Sequence, residues 1–305
     1  RLGEVSKGKD TTIGHLEISG VQSPKPLPTY PNGFPKEVIE KLEKATGRRV
    51  VCNLPYSGTA VLDDYADEQF KDGALIVYTS ADSVLQIAAH EELIPVETLY
   101  KYCDMAREIM TGEHGVGRII ARPFLGEKGN YKRTSNRHDV SLEPPAPHML
   151  DFIMKAGLDT IGVGKIYDIF AGQGISKKIK TVSNHDGMEK TIALAKEDFK
   201  GLCFVNLVDF DMVYGHRNNV DGYAACATEF DGQLGEFLPL MEKDDILIIT
   251  ADHGCDPATP STDHSREYVP MIICGNNVRS GVDLKTRKSY SDIAATVCEY
   301  LGVKA

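Results

Sequence analysis

Four short runs of aliphatic and β-branched residues, each ending abruptly in polar side chains, constrain the fold of this chain more than any other feature. They are 74–79 before Ser80, 160–164 before Lys165, 203–208 before Asp209, and 246–250 before Ala251 and Asp252. Apolar runs of this length bounded by polar loops and helical patterns predict parallel βα units. After the first run, Ser80-Ala81-Asp82 leads into a helical stretch expected to continue through Ile109. In open α/β sheets ligands sit beyond the carboxyl ends of the strands, so the polar residues closing each run are where chemistry is expected. The chain closes with a helix over 292–301, with Ser291 as the expected N-cap and Gly302 as the stop.

At 305 residues the chain is long enough for two domains, at roughly 150 residues each. Two breaks divide it: the prolines Pro24, Pro26, Pro28, Pro31 and Pro35, and the segment Glu143-Pro144-Pro145-Ala146-Pro147. They predict an inserted α/β cap domain over 24–146 within a discontinuous core made of 1–23 and 147–305. A formal net charge of -10 offers no general attraction for nucleic acid or an anionic membrane, so a phosphate-bearing ligand must be held by local positive charge or metal. No run approaches the roughly 18 apolar residues of a membrane span. The seven cysteines are scattered and never in CxxC spacing, which argues against a disulfide framework or zinc knuckle and fits a reducing cytoplasm. Arg1-Leu2-Gly3-Glu4 shows neither an initiator Met nor a signal pattern and reads as an internal point of a longer chain.

Chemistry concentrates at three places. Thr250-Ala251-Asp252-His253-Gly254 is followed by Thr262-Asp263-His264. A carboxylate and imidazoles placed after a buried strand can converge on a divalent cation. Asp252-His253 alone would more often be a capping or surface pair. The preceding strand, however, also ends in Asp209-Phe210-Asp211 and Gly215-His216. Mixed oxygen and nitrogen ligands suit manganese, zinc or iron better than calcium. Asp209 itself reads equally as a helix cap or as a group behind the ligands. Near the start, Lys9-Asp10-Thr11-Thr12-Ile13-Gly14-His15 offers a hydroxyl that a metal could activate, although Thr pairs before helices are more often caps. His90, placed in the expected helix, together with His114 and His185, reads as partly buried or capping. The Met and Tyr positions of 96–109 read as core.

GKDTT-GH, Tyr78 to Glu92 (YTSADSVLQIAAHEE), Arg122 to Asp139 (RPF-GE-GNY-RT-NRHD), NLVDFD-GHR and TADHG-DP-TDHSREYVP together resemble the bacterial phosphopentomutases of the alkaline phosphatase superfamily, over nearly the whole chain. The resemblance implies an alkaline-phosphatase-like core, a central mostly parallel sheet between helices, carrying an inserted cap. It implies Thr11 as the phosphorylated nucleophile. One cation would be held by Asp211, His216 and His264, the other by Asp252, His253, the Thr11 oxygen and an Asp from an opening strand expected to precede Arg1. Asp82, Arg118, Arg133 and Lys165 would contact the sugar phosphate, since guanidinium forks match phosphate oxygens and a carboxylate accepts from sugar hydroxyls. Two Mn2+ ions are implied, other divalent cations being compatible, together with a priming sugar bisphosphate such as glucose 1,6-bisphosphate.

The implied reaction interconverts the 1- and 5-phosphates of ribose and 2-deoxyribose through a phosphothreonine enzyme. The cap would keep water from that intermediate, because hydrolysis would turn a mutase into a phosphatase. Pentose phosphates are the expected partners. The competing readings are a two-metal phosphatase, phosphodiesterase or cofactor-independent phosphoglycerate mutase on the same core, or an inactive truncated homologue. The absence of a Cys-x-Pro-x-Arg motif argues against a sulfatase.

Overall fold

The computed structural model describes residues 1–304 and divides into two compact units, Leu27–Leu142 and Arg1–Pro26 together with the chain from Glu143 onward. The second of these opens with helix α1 (Thr11–Ile18), started by Asp10, whose side chain accepts from the Ile13 N–H at 3.1 Å.

The 27–142 unit contains α2 (Lys36–Thr46), β1 (Val50–Pro55), α3 (Ala60–Asp72), β2 (Leu75–Thr79), β3 (Val84–His90), α4 (Val96–Ile109), β4 (Arg118–Leu125), β5 (Lys132–Arg133) and β6 (His138–Ser141). They form a mixed six-stranded sheet in the order β1-β2-β3-β4-β5, with β6 also on β4. The segment expected to be helical from Ser80 is therefore a strand first and a helix only from Val96, and His90 ends that strand. The reason is burial: every residue of β3 is buried, so its apolar run has no alternation to distinguish it from a buried helix. On α4 the buried stripe is Leu99, Cys103 and Ala106, with Tyr100 and Tyr102 packed at its edge rather than at its centre. Leu75, Val77, Leu85, Ile87, Ile119 and Ala121 pack on one side of the sheet with Val38, Leu42 and Leu99 of α2 and α4. The alternate residues Ile76, Tyr78, Ala88 and Phe124 pack with Val61, Leu62 and Ala66 of α3.

The other unit continues with α5 (Met149–Lys155), β7 (Asp159–Val163), α6 (Ile166–Ile169), β8 (Lys177–Ile179), α7 (Asn184–Leu194), β9 (Gly201–Val205), α8 (Val220–Phe237), β10 (Leu247–Thr250), β11 (Met271–Cys274) and α9 (Ser291–Tyr300). β8, β7 and β9 are parallel neighbours, as the βα pattern requires. β10, read as one more parallel strand, instead pairs antiparallel with β11, and among the described residues that is its ladder. α9 begins at Ser291 itself, with Tyr290 in the cap position and no side-chain cap bond. All seven cysteines are free, and among the described residues no helix is long and apolar enough to cross a membrane.

Glu17, fully buried in the last turn of α1, ties this unit together. Its carboxylate accepts from Val5 N (3.0 Å), Ser6 N (2.7 Å), Ser289 Oγ (2.8 Å) and Tyr290 N (3.1 Å), joining the N-terminal segment and the start of α9 to α1. Burial opposes the charge, but these donors win and hold the carboxyl below its ordinary value. Its contribution is therefore complete above the ordinary pKa of 4.5 and drains away as pH falls through the lower folded value. Glu17→Ala leaves buried N–H groups without an acceptor, at about 1–3 kcal/mol each. Denaturant unfolding at pH 7 is expected to show a loss of at least that size, shrinking as the acid limb is approached. A pH-independent difference would contradict the carboxylate's role.

Candidate metal centre

The strand ends of the discontinuous unit deliver the expected carboxylates and imidazoles to one place. Asp211 lies on a π-type turn, Phe210–Tyr214, beyond β9, and His216 follows on a single 3-10 turn, Gly215–Arg217. Asp252 and His253 follow β10 directly, and His264 lies on the loop toward β11, where Gly254 and Ser265 form an antiparallel bridge. One ligand atom from each of Asp211, His253 and His264 falls within 4.8 Å of the others. His264 Nε2 is 2.9 Å and His216 Nε2 3.2 Å from Asp211 Oδ1, while the rings of His253 and His264 stack at 3.7 Å.

The imidazoles are turned for ligation. Nδ1 of His216 lies 2.6 Å from Thr262 O, that of His264 3.0 Å from Lys9 O, and that of His253 3.2 Å from Gly254 O. A carbonyl only accepts, so Nδ1 carries the proton in each ring and Nε2 is left as the ligand atom. Lys9 also anchors the His264 loop through its ammonium, 2.6 Å from Asp263 Oδ2 and 2.8 Å from His264 O.

Thr11 and Asp252 are brought together by α1. Thr11 Oγ1 is 3.3 Å from His253 Nε2. His15, one turn on and almost fully buried, aims Nδ1 at Thr11 O (2.8 Å) and passes 3.1 Å from Asp252 Oδ2. Burial would raise the Asp252 pKa, yet the charge and contact of His15 and then the charge of His253 outweigh it and bring it to about 2. For His15 burial opposes protonation, and the Asp252 charge overrides it in the other direction. Asp252 Oδ2 nevertheless remains buried with no donor aligned on it, since the His15 proton points at Thr11 O. An ionised, buried oxygen without a hydrogen bond is costly unless a cation satisfies it. That orphaned oxygen, with three Nε2 atoms and the Asp211 carboxylate, fits a divalent metal with mixed N and O ligation.

One glycine makes the approach of α1 possible. A Cβ at Gly14 would lie 1.9 Å from Asp252 O, inside the backbone itself, so α1 can pass Asp252 only without a side chain there. Gly14→Ala is expected to push α1 and Thr11 away from Asp252. Activity should be lost while the apo protein melts several degrees lower, and a variant with normal activity would show that the close approach is dispensable.

Comparison with known proteins places the chain in a metalloenzyme superfamily. The Metalloenzyme superfamily pattern matches residues 11–305. The chain is 60% identical to a phosphopentomutase of Lachnoclostridium phytofermentans, covering 99% of this chain and 78% of that one. It is 55% identical to the phosphopentomutase of Carboxydothermus hydrogenoformans (100% and 78%) and 54% identical to that of Caldanaerobacter subterraneus (99% and 77%). The chain belongs to the phosphopentomutase family. Divalent metal binding is a property of the superfamily to which the chain belongs.

The remaining residues expected of a phosphopentomutase lie elsewhere. Lys165 follows β7, and its Nζ reaches Met212 Sδ at 3.7 Å on the turn that carries Asp211. Asp82, Arg118 and Arg133 belong to the 27–142 unit. Asp82 is exposed at the turn between β2 and β3, Arg118 stands 3.7 Å from Asp139, and Arg133 donates to Tyr78 Oη at 2.8 Å. Arg122, which the sequence reading did not single out, lies four positions beyond Arg118 on the same face of β4. Arg122 donates to Gln86 Oε1 at 2.9 Å, and its pKa is lowered to about 10, first by burial and then by the like charges of Arg137 and Arg133. Arg137 forks onto Asp139, with both contacts at 2.6 Å. Burial is the first cause of the Arg122 shift, and Asp139, which Arg137 and Arg118 both approach, partly offsets the positive charge gathered here.

Proposed function

We propose that this chain interconverts ribose 1-phosphate and ribose 5-phosphate, and their 2-deoxy counterparts, by passing a phosphoryl group through Thr11. The observation that carries the reading is the Thr11 hydroxyl beside His253 Nε2, at the edge of an Asp-His cluster in a chain 60% identical to a phosphopentomutase. Asp211, His216 and His264 would hold one Mn2+, and Asp252, His253 and the Thr11 oxygen a second. Bound there, the cations would lower the pKa of attacking hydroxyls and clamp both oxygens of an in-line displacement.

The chain's own groups do the remainder. Thr11 is the first residue of α1, where free backbone N–H groups and the helix dipole favour a phosphate on its hydroxyl. Phospho-Thr11 gives its phosphoryl group to the free hydroxyl of a bound sugar monophosphate. That O–P bond forms as the Thr11 O–P bond breaks, and the proton lost by the sugar hydroxyl is balanced by one taken up at the departing Thr11 oxygen. The bisphosphate then returns its other phosphoryl group to Thr11, completing the isomerisation. Asp82, Arg118, Arg133 and Lys165, supported by Arg122, would hold the sugar and its non-reacting phosphate. Glucose 1,6-bisphosphate is the proposed primer, because it can phosphorylate Thr11 before the first cycle.

The test is an assay of ribose 1-phosphate with Mn2+ and glucose 1,6-bisphosphate, followed by 31P NMR. Ribose 5-phosphate should accumulate, and chelation should stop the reaction. Release of ribose and inorganic phosphate, with no ribose 5-phosphate, would favour a phosphatase and overturn the reading.

A further inference from the structure

Asp211 reaches the cluster from irregular backbone: β9 ends at Val205, and the carboxylate follows on the π-type turn Phe210–Tyr214. Something must hold that turn still, and the structure points to α7. Asn184, the first residue of α7, is 6% exposed and faces Asp209, two residues before Asp211. Its Oδ1 accepts from Asp209 N at 2.8 Å, and its own N–H donates to Asp209 Oδ2 at 2.6 Å. The Asn184 amide also donates to Cys226 Sγ of α8 at 3.3 Å, so three elements meet on one side chain.

Helix capping does not account for this arrangement. Ser183 already caps α7 by accepting from Asp186 N at 3.2 Å, which leaves Asn184 free for the turn. The first turn of α7 also packs close: a Cβ on Gly187 would lie 3.1 Å from Leu207 Cδ2, on the segment leading into Asp209. Two reciprocal hydrogen bonds at one residue fix both its position and its orientation, where a single bond would leave a pivot. The constraint passes directly into the π-type turn, where Met212 N bonds Val208 O at 2.9 Å around Asp209.

We infer that Asn184 and Asp209 form a two-point clasp that positions the Asp211 carboxylate for its cation. Asn184 is then a positioning residue of the metal centre, acting without touching metal or substrate. The inference rests on the proposed role of Asp211 as a ligand. Groups that orient ligands from behind typically change metal affinity about 10–100-fold when removed.

The chemistry of the clasp supplies its own rescue. Each side chain contributes an acceptor oxygen to the other's backbone N–H, so exchanging the two residues preserves both bonds. Asn184→Asp alone places two carboxylates against each other, and adding Asp209→Asn removes the repulsion. Mn2+ titration of the chelator-treated full chain, followed by electron paramagnetic resonance, is expected to show Asn184→Ala and Asn184→Asp weakened about tenfold or more at one site. The exchanged pair N184D/D209N should recover most of that loss. Melting temperatures of the chelated proteins should differ little between Asn184→Asp and the exchanged pair, separating positioning from general stability. Unchanged Mn2+ affinity in Asn184→Ala, or an exchanged pair no better than Asn184→Asp, would overturn the clasp. If the unaltered protein bound no Mn2+, the ligand reading beneath it would fall instead, a result distinct from any pattern among the variants.

Discussion

Thr11→Ala is expected to lose mutase turnover by more than about a thousandfold, the order seen when a covalent nucleophile is deleted. The substitution is mild for the fold. Thr11 opens α1, where Ala is an excellent helix former, and its hydroxyl contact is the one at 3.3 Å to His253. Mn2+ affinity should fall only modestly, because the Asp and His ligands remain. Thr11→Ser, which restores a hydroxyl, should regain part of the rate. The measurement is kcat for ribose 1-phosphate alongside Mn2+ titration of the same preparations. Retained turnover in Thr11→Ala would remove this residue from the mechanism.

His264→Ala should have a comparably large effect through a different route. His264 joins three parts of the site: Nε2 lies 2.9 Å from Asp211, the ring stacks on His253 at 3.7 Å, and Nδ1 meets Lys9 O at 3.0 Å. Its removal should weaken Mn2+ binding by at least the 10–100-fold attributed to groups behind the ligands, and take turnover with it. The wild-type site carries a pH dependence of known sign. Burial disfavours the charged imidazole, but the Asp211 hydrogen bond and charge raise the His264 pKa above its ordinary value. A proton and a metal compete for Nε2, so Mn2+ affinity should weaken as pH falls through that raised pKa. Calorimetric titration between about pH 8 and pH 6 reads this directly. An affinity that rose on acidification would contradict ligation by His264.

The gathering of the Asp and His side chains was legible in the sequence because all of them except His264 follow apolar runs read as strands. Asp211 with His216, and Asp252 with His253, follow apolar runs, and that placement carries meaning in an α/β fold whatever the intervening detail. The role proposed for Thr11 came only through resemblance. Nothing in Asp10-Thr11-Thr12 distinguishes a phosphate acceptor from a cap, and Asp10 turned out to be the cap. β3 was misread because a strand buried on both faces has lost the alternation on which strand reading depends.

Other features lay beyond any local pattern. Gly14 matters because of a carbonyl 238 positions away in the chain, and the Asn184–Asp209 pair joins a helix start to a strand end. Nothing in the local sequence sets Glu17 apart, and only the fold reveals the four groups that converge on it. Periodicity reports which face of an element is buried. It does not report which distant backbone comes to meet that face.

The central claim is that Thr11 carries the phosphoryl group, and phosphopeptide mapping tests it most directly. The protein would be incubated with Mn2+ and glucose 1,6-bisphosphate, quenched, digested, and sequenced by mass spectrometry. The account predicts one added phosphoryl group on the peptide beginning at Asp10, with fragments assigning it to Thr11, and its transfer to ribose 5-phosphate in a chase. Phosphate at Thr12 or another residue, or no covalent phosphate in a protein that still turns over, would contradict it.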